Sequence, residues 1–272
     1  MKTHILFIRQ IKQVRYNHNV KKISEVSSGP DERIPVVLLH GFLASSGYWS
    51  RLLPHLNASR YRLIPIDLLG FGKAPKPTDC NYDYDAHLAF ITQQLKDRPV
   101  EQPFVLIGHS MGALLAARFS ALYPDKVRAT VLLHPPLYTS LDEARATLRN
   151  TGTIYRFLLD SKFRGVGWGI LRNVPYLGVA PHTIFSRERS LQNIIEASEL
   201  PKDLARLQPD TLLVVGANDR PQYRQNLAHL HPSSAVIVAV ENVNHHSPIL
   251  KPQYAARLVT GFLLKVVHIP RG

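Results

Sequence analysis

The chain is expected to fold as an α/β protein, a mainly parallel central sheet flanked by helices with one helical insertion. Three observations carry that expectation. Short apolar runs with polar or Gly/Pro ends recur along the 272 residues. Stretches with helical spacing separate them, which calls for crossover connections between parallel strands. One long segment, residues 135–205, lacks strand-like runs altogether.

Taken in order, "QVRYNHNV" and "KKISEVSSG" near the start alternate polar and apolar residues and suggest an antiparallel edge hairpin turning at "NHN". "IPVVLLHG" (34–41) and "YRLIPIDL" (61–68) read as strands, with "GYWSRLLPHL" (47–56) between them as a helix. "DAHLAFITQQLK" (85–96) is the next helix. Phe104 to Ile107 form a buried strand, and from Ala113 onward Leu114, Leu115, Arg118, Phe119 and Leu122 recur at helical spacing until Pro124. Strands follow at "VRATVLLH" (127–134), "DTLLVVGA" (210–217) and "SAVIVAVE" (234–241), with "QYRQNLAHL" as a helix before the last. "PQYAARLVTGFLLKVV" closes the chain as an amphipathic helix. Apolar continuity within the strands fits a sheet covered on both faces.

This divides the chain into a core, residues 1–134 and 206–272, and an insertion, residues 135–205. The insertion holds the helical fragments "SLDEARATLRN", "TIYRFLLDSKF", "WGILRNV" and "RSLQNIIEASEL". It is expected to act as a lid. Phe157 with its leucine neighbours, Phe163 and Trp168 would line a pocket or pack as plain core.

Composition narrows the function. A hydrophobic fraction of 45% and a charged fraction of 19% are those of a globular chain. The formal net charge of +13 raises nucleic acid or an anionic membrane surface as partners. The basic residues are scattered in pairs such as Lys21-Lys22 and Lys73/Lys76, and no nucleic-acid module accompanies them, so a solvated basic surface with weak membrane association at most is expected. Cys80 is the single cysteine, which excludes an internal disulfide and a cysteine-based zinc cluster. The apolar patch Ile5 to Ile8 ends at Arg9 and Lys12, too short for the apolar core of a signal peptide, and no run reaches the length of a membrane span. A cytoplasmic protein without metal or cofactor is the resulting expectation.

The chemistry centres on "GHSMG" (108–112), where Gly108 and Gly112 flank Ser110 between a strand and a helix. Such a tight turn needs neighbours without side chains, and it holds the serine proud of the sheet at a helix N-terminus. A serine hydroxyl needs a histidine to take its proton and an acid to orient that histidine. In a parallel sheet these gather at the carboxyl ends of strands. "LLVVGANDRP" places Asp219 just after one strand, and "VIVAVENVNHHSP" places His245 and His246 just after the next. Asp219 is also a plausible turn former, but no acidic residue directly follows the preceding strand in "LLHPPLY" to rival it.

From "VVLLHGF" through "IPIDLLGFGKAPKP" (64–77) and "GHSMG" to "HHSPILKP", the sequence resembles the α/β-hydrolase fold superfamily, and in particular its esterase- or lipase-like serine hydrolases with a helical cap. The resemblance implies a Ser110–His245–Asp219 triad and an oxyanion hole made by the backbone N–H groups of Phe42 and Met111. It favours His245 over His246, because the family's last motif carries a proline seven residues past the histidine, and Pro252 stands there; Asn244 takes the place of the usual glycine. Pro248, two residues past His246, offers a second match. It also implies that Asp67 fixes a turn and that His40 and His109 shape loops. His134 is a candidate substrate contact or a packed histidine, and Phe157 and Trp168 are candidate substrate contacts.

The activity so implied is cleavage of a small-molecule carboxylic ester or other acyl substrate through an acyl-enzyme. Carbon–carbon, amide or lactone hydrolysis on the same triad, a membrane-surface lipase or acyltransferase, and a non-catalytic ligand-binding protein remain open. Serine at position 110 argues against relatives that carry aspartate there.

Overall fold

A computed structural model describes residues 32–98, 100, 103–149 and 179–267. The expected hairpin near the start, "TIYRFLLDSKF", "WGILRNV", Phe157 and Trp168 lie outside the described residues.

Six strands, β1 (Ile34–Leu39), β2 (Tyr61–Ile66), β3 (Phe104–His109), β4 (Val127–Leu133), β5 (Asp210–Gly216) and β6 (Val236–Glu241), form one sheet in the order β2-β1-β3-β4-β5-β6. Every pairing is parallel. β1 thus lies second from one edge, β2 flanks it on the outside, and β3 to β6 follow in chain order on its other side, so the carboxyl ends of all six strands emerge along one edge.

The period-two geometry of a strand sends alternate residues to opposite faces, and both faces are covered. Val37 and Leu39, Phe104 and Leu106, Leu213 and Val215 join one core cluster. Val36 and Leu38, Val105 and Ile107, Leu212 and Val214 join the other. The first face is packed by α1 (Tyr84–Asp97) and α2 (Met111–Leu122), whose Leu88, Ile91, Leu114, Leu115 and Phe119 are buried. The second is packed by α8 (Pro252–Val266) through Ala255, Ala256, Val259, Phe262 and Leu263, together with Trp49 and Leu52.

Asp83 caps α1 by accepting the Ala86 N–H at 2.9 Å. Arg118 of α2 spans Asp203 at 2.7 Å and Glu199 at 2.8 Å, tying α2 to α5 (Leu200–Arg206). Leu122, expected on the apolar stripe of α2, is instead 53% exposed at its last turn.

Two of the expected helical stretches are helical but take forms other than a regular α-helix. Residues 47–56 form two 3-10 turns, Ser46–Arg51 and Leu53–His55, rather than an α-helix. Pro54 lacks the N–H and crowds the carbonyl four residues back, so an α-helix cannot run through it, while fully buried Trp49 pins the segment to the core. The stretch "RSLQNIIEASEL" is not one helix either. α4 (Ile184–Ser190) passes into a π-helical turn over Leu191–Glu196 before α5.

Between β4 and β5 the chain leaves the sheet. Its described parts are residues 134–149, which include α3 (Leu141–Arg149), and residues 179–209, which include α4 and α5. Two backbone bonds tie the returning segment to the core: the Ala180 N–H donates to the Leu43 carbonyl at 2.8 Å, and the Gly72 N–H to the Pro181 carbonyl at 2.9 Å. α6 (Pro221–Asn226) and the one-turn α7 (Ser247–Leu250) complete the described helices. Among the described residues, no helix is long and apolar enough to cross a membrane.

Candidate active site

Ser110 occupies the single-residue turn from β3 into α2 with φ 52° and ψ −118°, a left-handed conformation that side chains rarely adopt. Its N–H donates to the Leu133 carbonyl at 2.9 Å, locking the turn to β4. The glycines on either side are sterically required. A Cβ on Gly108 would lie 2.2 Å from the Gly112 carbonyl oxygen, and one on Gly112 would lie 2.3 Å and 2.4 Å from the carbonyl oxygens of Leu39 and His40.

The loops after β5 and β6 are drawn together by backbone bonds, Ala217 N–H to Glu241 O at 2.7 Å and Asn218 N–H to Val243 O at 3.1 Å. Gly216 permits the approach, since a Cβ there would meet the Val243 carbonyl oxygen at 2.5 Å. The result is a line of three side chains. Asp219 Oδ2 accepts from His245 Nδ1 at 2.7 Å, and His245 Nε2 lies 3.0 Å from Ser110 Oγ. His245, not His246, spans the serine and the acid. His246 lies at the surface, its N–H bonded to Asn244 Oδ1 at 3.1 Å.

The electrostatics follow the burial. The Asp219 side chain is 6% exposed against 25% for His245, so the acid is shielded while the imidazole keeps an open edge. Burial disfavours the Asp219 carboxylate, but the hydrogen bond and charge of His245 and the Arg220 N–H at 2.8 Å outweigh it and hold the carboxyl below its usual 3.8. A carboxylate with a lowered folded pKa contributes stability that is fully present above the unfolded value and is lost as pH falls through the folded one. Asp219→Asn is therefore expected to show a stability deficit in urea at pH 6 that shrinks toward pH 3. Activity should fall about 10⁴-fold, because the amide favours the wrong imidazole tautomer. An equal deficit at both pH values would contradict the linkage.

The loop after β1 runs past the serine. His40 donates through Nδ1 to the Gly41 carbonyl at 2.8 Å and accepts the Leu68 N–H through Nε2 at 2.9 Å, an arrangement only the neutral ring can make. Burial lowers its pKa to about 4, keeping it neutral. Asp67 fixes the neighbouring turns by accepting the N–H groups of Ser46 at 2.5 Å and Lys73 at 2.7 Å. Leu43 sits at φ 61°, directly after Phe42. No acceptor among the described residues takes the N–H of Phe42 or of Met111.

His134, at the end of β4, is buried with its ring centroid 6.1 Å from that of His245, and its Nε2 bonds Ser247 Oγ at 2.7 Å. Three features escaped the sequence reading: that bond, the contact of His109 Nε2 with the His245 carbonyl at 2.8 Å, and the stacking of Tyr48 on His109 at 4.5 Å. No spacing rule marks Tyr48 or Ser247, which come from distant loops. Among the described residues, no group of three or more His, Cys, Asp or Glu side chains is arranged to hold a metal ion.

Comparison with known proteins agrees with this architecture. A family model described as the alpha/beta hydrolase fold matches residues 34–164. The chain is similar to the probable lysophospholipase BODYGUARD 3 of Arabidopsis thaliana, 34% identical over 125 residues, which is 45% of this chain and 25% of that protein. It is also similar to the human (lyso)-N-acylphosphatidylethanolamine lipase, 34% identical over 121 residues, 43% of this chain and 35% of that one. The chain thus spans about a quarter to a third of the length of these relatives. Among solved structures, an esterase from Exiguobacterium antarcticum superposes with a TM-score of 0.65 at 18% identity, covering 85% of this chain and 92% of that one. MenH from S. aureus superposes with a TM-score of 0.67 at 17% identity, covering 89% and 97%. A six-stranded parallel sheet, a serine in a glycine-flanked strand-to-helix turn and these matches lead to one conclusion: the described chain has the α/β-hydrolase fold.

Proposed function

We propose that the protein is a serine hydrolase that cleaves carboxylic esters through an acyl-enzyme. The observation that carries this reading is the unbroken line from Asp219 through His245 to Ser110, at 2.7 Å and 3.0 Å, ending on a hydroxyl held in a left-handed turn.

In this reading Ser110 Oγ attacks the ester carbonyl carbon as its proton passes to His245 Nε2. Asp219 keeps the other ring proton on Nδ1 and stabilises the imidazolium. The negative charge on the former carbonyl oxygen is met by the N–H groups of Phe42 and Met111, each worth about 3–4 kcal/mol in the barrier. Collapse expels the alcohol, which takes the proton from His245 and leaves Ser110 acylated. Water then attacks the acyl carbon, giving its proton to His245, and the acid leaves as Ser110 recovers its hydrogen. Residues 135–205 act as the lid, supported by the bonds of Ala180 and Pro181 to the loops beside the site.

The names of the similar lysophospholipases and lipases, with the net charge of +13, favour lipid esters bearing an anionic headgroup as the first class to assay. Labelling with a fluorophosphonate followed by peptide mapping is expected to mark the peptide containing Ser110. A nitrophenyl ester panel is expected to favour long acyl chains over short ones. Absence of label at Ser110 would overturn the hydrolase reading, and a short-chain optimum would overturn the lipid one.

A further inference from the structure

We propose that His109 and His134 are positioning residues that clamp the loop carrying His245 at proton-transfer distance from Ser110. This rests on the reading of Ser110, His245 and Asp219 as the reacting groups. Ser110 and His245 lie 135 positions apart in the chain and come from the ends of different strands, so their 3.0 Å separation needs something to set it.

Two side chains reach across that gap. His109, next to Ser110 in sequence, bonds the main-chain carbonyl of His245 itself. His134, from the end of the neighbouring strand β4, bonds Ser247, two residues further along the same loop. Both rings are 1% exposed.

The chemistry of the contacts explains the residue type. A carbonyl only accepts, so His109 must carry its proton on Nε2 and donate it. The Tyr48 hydroxyl lies 3.1 Å from the same nitrogen and shares that proton, while its ring stacks on the imidazole within 18° of parallel. A Cβ on Gly41 would come within 2.9 Å of the opposite nitrogen, so the ring is closely walled. Nδ1 of His109 and Nδ1 of His134 have no hydrogen-bond partner among the described residues, and a second proton there would be buried without an acceptor. Both rings therefore stay neutral. Burial first, and the charge of His245 next, drive the pKa of His109 well below 6.5 and that of His134 to about 3. The clamp thus holds the base without adding a charge or a competing proton acceptor beside it.

The test compares His109→Leu, His109→Gln and His109→Asn with wild type and Ser110→Ala. Leucine fills the space but cannot donate; glutamine places an N–H near the position of Nε2; asparagine ends short of it. His109→Leu is expected to lower kcat about 10²-fold with KM unchanged, the cost of a reacting group displaced by about 1 Å. His109→Gln is expected to recover most of that loss, and Ser247→Ala to lower kcat severalfold.

The second readout needs no turnover. The proton between His245 Nδ1 and Asp219, far downfield in proton NMR, should be sharp in wild type and His109→Gln and broadened in His109→Leu and His109→Asn. Should His109→Leu fail to fold, the glutamine and asparagine pair decides. Wild-type kcat and a sharp resonance in the leucine or asparagine variant would overturn the clamp. A wild-type protein lacking Ser110-dependent turnover would overturn the hydrolase reading instead, and the resonance would still decide the clamp.

Discussion

Replacing Ser110 with alanine is expected to lower kcat by on the order of 10⁴–10⁶-fold without disturbing the fold. The hydroxyl is the nucleophile that forms the acyl-enzyme in the proposed mechanism, and what survives its loss is the contribution of binding and of the Phe42 and Met111 N–H groups. The same position also stores strain. A side chain at φ 52° and ψ −118° costs about 1–3 kcal/mol, and glycine removes most of it. Ser110→Gly should therefore be as inactive as Ser110→Ala but melt higher, by roughly 2–4 °C for each kcal/mol recovered. Thermal melts and ester turnover on the two variants check both halves. A Ser110→Ala protein with wild-type turnover would remove Ser110 from the chemistry. A Ser110→Gly protein that melts no higher would show that the turn is not strained.

The largest stability effect is expected at Gly112. The Cβ of an alanine there would come within 2.3 Å and 2.4 Å of two backbone carbonyl oxygens, at the end of β1 and in the loop that follows. Neither is the free end of a flexible side chain, so the strand itself must move. A loss of about 3 kcal/mol is expected, the upper end for overpacking, and a fall in melting temperature of roughly 6–12 °C. Because the displaced backbone leads into Phe42, activity should fall further than stability explains, by about 10²-fold for a misplaced oxyanion donor. Gly261→Ala is the control. It lies within α8 with nothing within 4 Å of the added Cβ, and should gain about 0.5–1 kcal/mol. Equal melts for Gly112→Ala and Gly261→Ala would refute the argument.

These predictions show which parts of the molecule can be read from sequence. Gly108, Ser110 and Gly112 were legible because a one-residue turn imposes a steric demand that only glycine meets, and the demand is local. β1, β3, β4 and β5 were legible because burial on both faces writes itself as continuous apolar runs such as Val36–Leu39. Asp219 and His245 could be nominated from their places after β5 and β6, since parallel strands deliver their ends to one edge. Local pattern failed where tertiary packing decided the outcome. Residues 47–56 have helical spacing, but Pro54 and the burial of Trp49 divide them into 3-10 turns. The π-helical turn at Leu191–Glu196 carries no signature separable from an α-helix. The bonds of His109 to His245 and of His134 to Ser247 join positions 136 and 113 residues apart, and nothing in either neighbourhood announces the other.

The sheet order has a kinetic consequence. Because every pairing among the six described strands is parallel, none of these pairings forms by a local hairpin, and each needs a crossover to close first. Entropy lost in closing such long loops slows refolding, and the pairing of β5 with β6 on one flank is separate from that of β1 with β3 in the middle. Ser110 belongs to the central strands and His245 to the flank, so affinity for a fluorophosphonate should appear only in the last refolding phase, after most of the circular dichroism signal has returned.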